Sequence, residues 1–318
     1  MPMFIPEYDS LYIHKAMLRD RVRTAAFTAA IGEMVTPGSV VVDLGTGAGI
    51  LSLAAARAGA ARVVAFERTR IVELAKRNFA ANFPGRIEAI AIDSRAYYGQ
   101  RAFADVLVSE WLGVHAFQEN MLSAVLDARD RFLRPPAIMV PRQVDLWVAP
   151  LRADPLRESE IESWKEPFLG FDLGEIARAS LEDPSNTNID PACLAAPGAL
   201  ALSLDMSTLP DRPLHAMRAS FTCAAGELIE GICGWFTAKL SPSVCLDTSP
   251  FVPSTHWGQA LYPFGTPIEV APGETLVLEV DAEPRQGYCD LSWRGYVAGR
   301  QAETAREHST NNSYLIPR

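Results

Sequence analysis

Long apolar runs are missing from this chain, and so is a basic amino-terminal leader. No stretch approaches the roughly 20 apolar residues of a membrane-spanning helix. The opening "MPMFIPEYDS" has neither a charged segment nor an apolar core of signal-peptide type. A membrane partner is therefore not expected, and a cytoplasmic location is. Cysteine is scarce. Cys193, Cys223, Cys233, Cys245 and Cys289 form no CxxC pair, which argues against a disulfide framework or a zinc module and for buried thiols in a reducing compartment. No metal is expected. Positive charge is in deficit, with a net charge of −9. That speaks against nucleic acid as the main partner and for a cationic ligand. Lysine is confined to Lys15, Lys76, Lys165 and Lys239; the other basic residues are arginine. With abundant alanine, this is the texture of a GC-rich bacterial coding sequence.

What is present is ample apolar material. The chain has 318 residues and is 48% hydrophobic, enough for one large or two modest domains. "HKAMLRDRVRTAAFTAAIGEM" has apolar residues at helical spacing. "SVVVDLG" reads as a parallel strand buried on both faces. A helix follows in "GILSLAAARAGA", closed by Gly59, then the strand "RVVAFE" and the helix "RIVELAKRNFAANF". "IEAIAID" and "ADVLVSE" read as a third and fourth strand, and "NMLSAVLDARDRFL" as a helix stopped by Pro135-Pro136. Strand–helix alternation predicts a doubly wound parallel sheet. Near Pro141 the texture changes. "ALALSLDM", "AMRASFTC", "IEGICGWFTAKL" and "TLVLEVDAE" have β-like alternation between turn residues, which predicts an antiparallel sandwich or barrel. A domain boundary is placed near Arg142.

"VVDLGTGAGILSL" puts Asp43, Gly45, Gly47 and Gly49 in a strand–turn–helix. Its GxGxG spacing differs from the GxGxxG dinucleotide fingerprint and suits a cofactor without phosphates. A nicotinamide dehydrogenase would share the sheet but lacks its fingerprint here. Glu67 ends the second strand, where an acid bonds ribose hydroxyls in nucleotide folds. Asp93 and Ser94 are placed at the end of the third, for an adenine amine. The fourth strand runs into "VSEWLGVHAFQENML", with Glu110 and Glu119 nine residues apart. In open α/β sheets ligands bind outside the carboxyl ends of the strands. Two carboxylates there suit a guanidinium, which is planar, permanently charged and bonds carboxylates bidentately. Helix capping by Glu119 and solvation of Glu110 is the alternative reading.

On these segments the chain resembles the protein arginine methyltransferases, S-adenosylmethionine-dependent enzymes that methylate arginine ω-nitrogens. The resemblance rests on "VVDLGTGAGILSL", on "SEWLGVHAFQENML", on "STHWGQALY" with Thr255, His256 and Trp257, and on "YDSLYIHKAMLRDRVRT" with Tyr8, His14, Met17, Asp20 and Arg23. It implies a Rossmann-like methyltransferase domain with a lid helix over 1–141. An antiparallel β-barrel domain over 142–318 follows, with a helical dimerisation arm at about 153–195 and a homodimer as the assembly. His14, Arg23, Asp43, Gly45, Gly47, Glu67, Asp93 and Ser94 would bind the cofactor, Arg23 by its carboxylate. Glu110 and Glu119 would clamp the guanidinium, His256 and Asp20 would pair beside them, and Met17, Met121, Tyr8 and Trp257 would shape the pocket. Phe4-Ile5 stand where the family has paired aromatics, and Ser94-Arg95-Ala96 where it has an acid near adenine. No accessory substrate domain is expected. For the acceptor the sequence leans toward free L-arginine or a small guanidine metabolite in a bacterial biosynthetic pathway. The alternatives are arginine within a protein or peptide, and a non-catalytic cofactor-binding subunit.

Overall fold

The computed structural model describes residues 10–116, 119–152, 161–181, 183–211, 217–284 and 289–310. Two helices open it, α1 (Leu11–Arg19) and α2 (Arg21–Met34). They replace the single helix expected from periodicity. The break is at Asp20, which is extended (φ −69°, ψ 95°) and caps α2 by accepting from the Arg23 N–H at 2.9 Å. Aspartate is a strong N-cap, and a cap inside a periodic pattern starts a new helix.

The sheet that follows is parallel throughout. Its strands are β1 (Val40–Leu44), β2 (Arg62–Phe66), β3 (Ile87–Ile90), β4 (Ala104–Val108) and β5 (Leu133–Val140). Helices α3 (Ile50–Arg57), α4 (Val72–Asn82) and α5 (Leu122–Phe132) alternate with them. The order β3-β2-β1-β4-β5 reverses direction between β1 and β4, and the cleft of such a sheet opens there, at the carboxyl ends of those two strands. α5 stops at Phe132, ahead of Pro135 and Pro136 as expected, but the two prolines themselves lie inside β5. As the edge strand, β5 tolerates prolines that cannot donate to a ladder. β3 ends at Ile90, and Asp93 instead caps a one-turn 3-10 helix, Ser94–Ala96.

Beyond Pro141 the strands become antiparallel. β6 (Gln143–Leu151), β7 (Ser185–Thr187), β8 (Ala199–Asp205), β10 (Glu227–Lys239), β11 (Cys245–Asp247) and β12 (Gln259–Val270) form one sheet. β9 (Met217–Thr222), β13 (Thr275–Pro284), β14 (Cys289–Val297) and β15 (Arg306–Ser309) form the other. The sequence does not single out β12 or β14 as strands. Leu146, Ile232, Phe236, Phe264, Leu278 and Trp293 are buried in a core continuous with that of the parallel sheet. Between β6 and β7 lie a short helix, α6 (Gly174–Ser180), and a tight turn closed by Phe168 and Phe171. Residues 153–160 and 182 of the expected arm fall outside the described residues. None of the five cysteines is in a disulfide; three are buried, Cys193 is half-buried and Cys245 is exposed.

Candidate active site

The glycine-rich turn leaves β1 with Gly45, Gly47 and Gly49 all in the left-handed region, at φ +74°, +54° and +96°. Space as well as φ demands glycine. A Cβ on Gly45 would stand 2.9 Å from Met121 Cε, and one on Gly47 would stand 2.7 Å from His14 Cε1. The turn is thus pressed from two sides by predicted site residues, His14 from α1 and Met121 from the head of α5. Asp43 is buried beneath it. Its Oδ2 accepts from Thr46 Oγ1 and Ser52 Oγ, both at 2.6 Å. Its Oδ1 is buried without a hydrogen-bond partner among the described residues. Burial raises the Asp43 carboxyl above the usual carboxylate range, against the two hydroxyl bonds. Glu67, just past β2, accepts from the Gly47 N–H at 3.0 Å with Oε2 and from the Thr69 N–H at 2.8 Å with Oε1.

Glu110 lies two residues past β4, at the mouth of the same cleft. Its side chain is 5% exposed. Oε1 accepts from the Leu112 N–H at 3.0 Å. Oε2 accepts from Arg23 Nε at 2.9 Å and Nη2 at 2.6 Å. The expected division of labour, Arg23 on the cofactor and Glu110 on the substrate, is therefore not what the geometry displays; the two groups hold each other. The physical reason is burial, since a buried charge without a partner is strongly unfavourable. The chain then turns tightly at Gly113–Ala116 and returns through Glu119 and Asn120, so that Met121 reaches Gly45. Ala116 (φ +65°) and Asn120 (φ +52°) are non-glycine residues in the left-handed region, a conformation that surrounding contacts must impose. Glu119 is half-buried between them.

The second unit closes the site. Asp20 Oδ2 accepts from the His256 backbone N–H and meets His256 Nδ1, both at 2.8 Å. Burial alone would raise the Asp20 carboxyl; the bonds from His256 and Arg23 outweigh it and hold it at about 2. Trp257 is buried, donates from Nε1 to the Leu112 carbonyl at 2.7 Å and packs edge-on against Phe236. Met17 is half-buried on α1. Tyr8 lies outside the described residues. Asp93 does not point to an unshared ligand contact. A bond from Arg95 lowers its carboxyl against burial, with the guanidinium at 2.7 Å from Oδ2. Ser94 is buried, and its carbonyl accepts from Arg131. Thr46 and Ser52 were not anticipated. A lone serine in the apolar helix "ILSLAAAR" was the available signal.

Glycine turn, buried acid and strand-end carboxylates define an α/β protein with a small-cofactor cleft, backed by an antiparallel barrel-like unit. Comparison with known proteins gives the family. A family model described as the arginine methyltransferase oligomerization subdomain matches residues 142–294. A second, for ribosomal protein L11 methyltransferase, matches residues 23–122. Protein arginine N-methyltransferase 6 of Danio rerio is 30% identical over 98% of this chain and 94% of its own length. Protein arginine N-methyltransferase 1 of Dictyostelium discoideum is 28% identical over 88% and 84%. Among solved structures, a Trypanosoma brucei PRMT1 enzyme-prozyme heterotetrameric complex with AdoHcy has the same fold. Its TM-score is 0.83 at 24% identity, covering 95% of this chain and 98% of that one. The chain belongs to the protein arginine N-methyltransferase family.

Proposed function

We propose that the chain transfers methyl groups from S-adenosylmethionine to ω-nitrogens of arginine within proteins or peptides. One observation carries the reading: Glu110, at the switch point of the sheet with its side chain largely shielded, already holds a guanidinium, that of Arg23. The relatives are named protein arginine N-methyltransferases, which moves the acceptor from free L-arginine to a protein or peptide. The cofactor fits the residues present. Gly45 and Gly47 would let backbone approach it, Glu67 at the end of β2 would face its ribose, and Asp43 Oδ1 would take a donor such as an ammonium.

When bound, S-adenosylmethionine supplies an electrophilic methyl on a sulfonium. The protein's part is placement and electrostatics. With the cofactor carboxylate drawing Arg23 off Glu110 Oε2, Glu110 and Glu119 would draw positive charge toward two guanidinium nitrogens and leave electron density on the third. Their negative charge also offsets repulsion between two cations. Asp20 fixes the His256 ring at Nδ1, leaving Nε2 for a proton released by the substrate. Met121 and Met17 bound the space beside Gly45 and α1. We further propose domains over 1–141 and 142–318, a homodimer and a cytoplasmic location. Among the described residues no helix is long and apolar enough to cross a membrane, and no cluster has the makings of a metal site.

Mass spectrometry of the purified chain with S-adenosylmethionine tests the acceptor. Methyl gain on an arginine-rich peptide, with none on L-arginine beside it, is expected. Gain on L-arginine alone would refute the peptide acceptor. No gain on either, with cofactor bound, would favour a non-catalytic subunit.

A further inference from the structure

His115 sits at the tip of the Gly113–Ala116 turn, inside the loop that carries Glu110 and Glu119. It is 2% exposed. Its ring enters the antiparallel unit. Nδ1 is 2.9 Å from Tyr262 Oη on β12, and the ring lies over Gly234 on β10. A Cβ there would stand 2.8 Å from His115 Cε1. Gly234 pairs with Ala260, and Ile232 with Tyr262, so Gly234 and Tyr262 lie on one face of the sheet, and the ring fills a hole that glycine leaves. Tyr262 is itself fixed, fully buried and packed on Trp293 with ring centroids 5.6 Å apart. Burial pushes the His115 imidazole down to about 4, against a hydrogen bond with the Trp147 backbone, and pushes the Tyr262 phenol up. The pair is therefore neutral at pH 7.

We propose that His115 is a positioning residue: docked on Gly234 and bonded to Tyr262, it holds residues 110–116 and 119–121 in the arrangement that presents Glu110 and Glu119 to the substrate guanidinium. The proposal rests on the clamp role given above to the two glutamates. Three observations converge on it. Ala116, next to His115, has φ +65°, and a residue held there needs outside support. The Trp257 bond to the Leu112 carbonyl ties the loop down three residues earlier, so docking is at two points, both on the antiparallel unit. Beyond the dock the chain must reach Met121 at Gly45, so a slackened turn moves Glu119 and Met121 together.

Tyr262→Phe tests this, because it removes the bond and keeps the ring. Misplacement by about 1 Å costs up to ~100-fold in rate. Turnover on an arginine peptide is expected to fall about tenfold, with the dissociation constant for S-adenosylmethionine within about twofold of wild type. Hydrogen exchange of amides in 109–121 should quicken while those of β1 stay unchanged. Gly234→Ala should do the same by pushing the ring out. His115→Gln, which keeps an acceptor, should retain more turnover than His115→Ala. Wild-type exchange in the loop for both Tyr262→Phe and Gly234→Ala, or turnover lost only in step with cofactor binding, would overturn the proposal. Exchange is read without substrate, so a fault in the glutamate reading shows separately, as full activity of Glu119→Gln.

Discussion

Asp20 divides its two oxygens between two tasks. Oδ1 caps α2, and Oδ2 holds the ring and backbone of His256. Asp20→Ala loses both, and the cap alone is worth about 1 kcal/mol; the partly exposed histidine pair adds less than a fully buried one. Asp20→Asn keeps a capping oxygen and should lose less stability than turnover, seen by comparing thermal melts with rates. The pH dependence follows from the sign of the shift. The Asp20 carboxyl is held at about 2, below its unfolded value of about 3.9. Its contribution is present above pH ~4 and is lost as pH falls toward ~2. His115 behaves differently. Its folded value of about 4 lies below the unfolded ~6.5, so the unfolded chain binds the extra proton and stability falls as pH drops from ~6.5 to ~4. The ring meets Tyr262 on β12, Gly234 on β10 and the Trp147 backbone on β6, all uncharged. His115→Phe should therefore make the fall in melting temperature between pH 6.5 and 4 shallower and leave the lower-pH limb in place. An unchanged slope would count against a neutral buried His115.

At the scale of elements, the glycine-rich turn is where local sequence and site coincide. Alanine at Gly47 would be held at φ +54° and would meet His14 at 2.7 Å, so the turn or α1 must shift. The backbone strain is on the order of 1–3 kcal/mol. Gly47→Ala should weaken S-adenosylmethionine binding by about tenfold or more in calorimetry while the melt stays cooperative. This turn was legible because β1 to β4 are short apolar runs, the first two and the fourth running into an acid that the fold places in the cleft. The resemblance supplied the order of the four site segments. Other features were not legible for physical reasons. β5 begins "LRPP", which reads as a stop because proline cannot donate, yet it pairs as an edge strand. The α1–α2 break depends on Asp20 capping, which periodicity conceals. The Glu110–Arg23 ion pair joins residues 87 apart, and His115–Tyr262 joins residues 147 apart. Each partner alone reads as an ordinary polar residue.

For the whole molecule the question is what covers the apolar tip between β6 and β7. Phe168 and Phe171 exchange both backbone hydrogen bonds, at 2.9 and 3.0 Å, across Leu169 and Gly170. Leu169 and Gly170 have φ +53° and +87°, the signature of a type I′ turn, whose twist holds the two flanks rigidly together. Such a turn displays its side chains instead of burying them: Phe168 is 56% exposed, Leu169 82% and Phe171 68%. Large apolar groups clustered on a protruding turn mark an association surface. This segment lies within the matched oligomerization subdomain. In a two-fold dimer, each turn would be received by the same patch on the other copy. α1 and α2 also expose Leu11, Tyr12, Leu18 and Val22, 49%, 67%, 40% and 41% exposed, with Lys15 and Arg19 exposed among them on α1. These helices carry His14 and Arg23, so a dimer seated there would also brace the site. Leu169→Asp with Phe171→Asp would place charge where the proposed homodimer excludes water. The pair should yield a monomer in sedimentation and lower turnover at least tenfold, with the monomer still folded by circular dichroism. A monomer of full activity would detach the site from assembly, and an unchanged dimer would move the interface elsewhere.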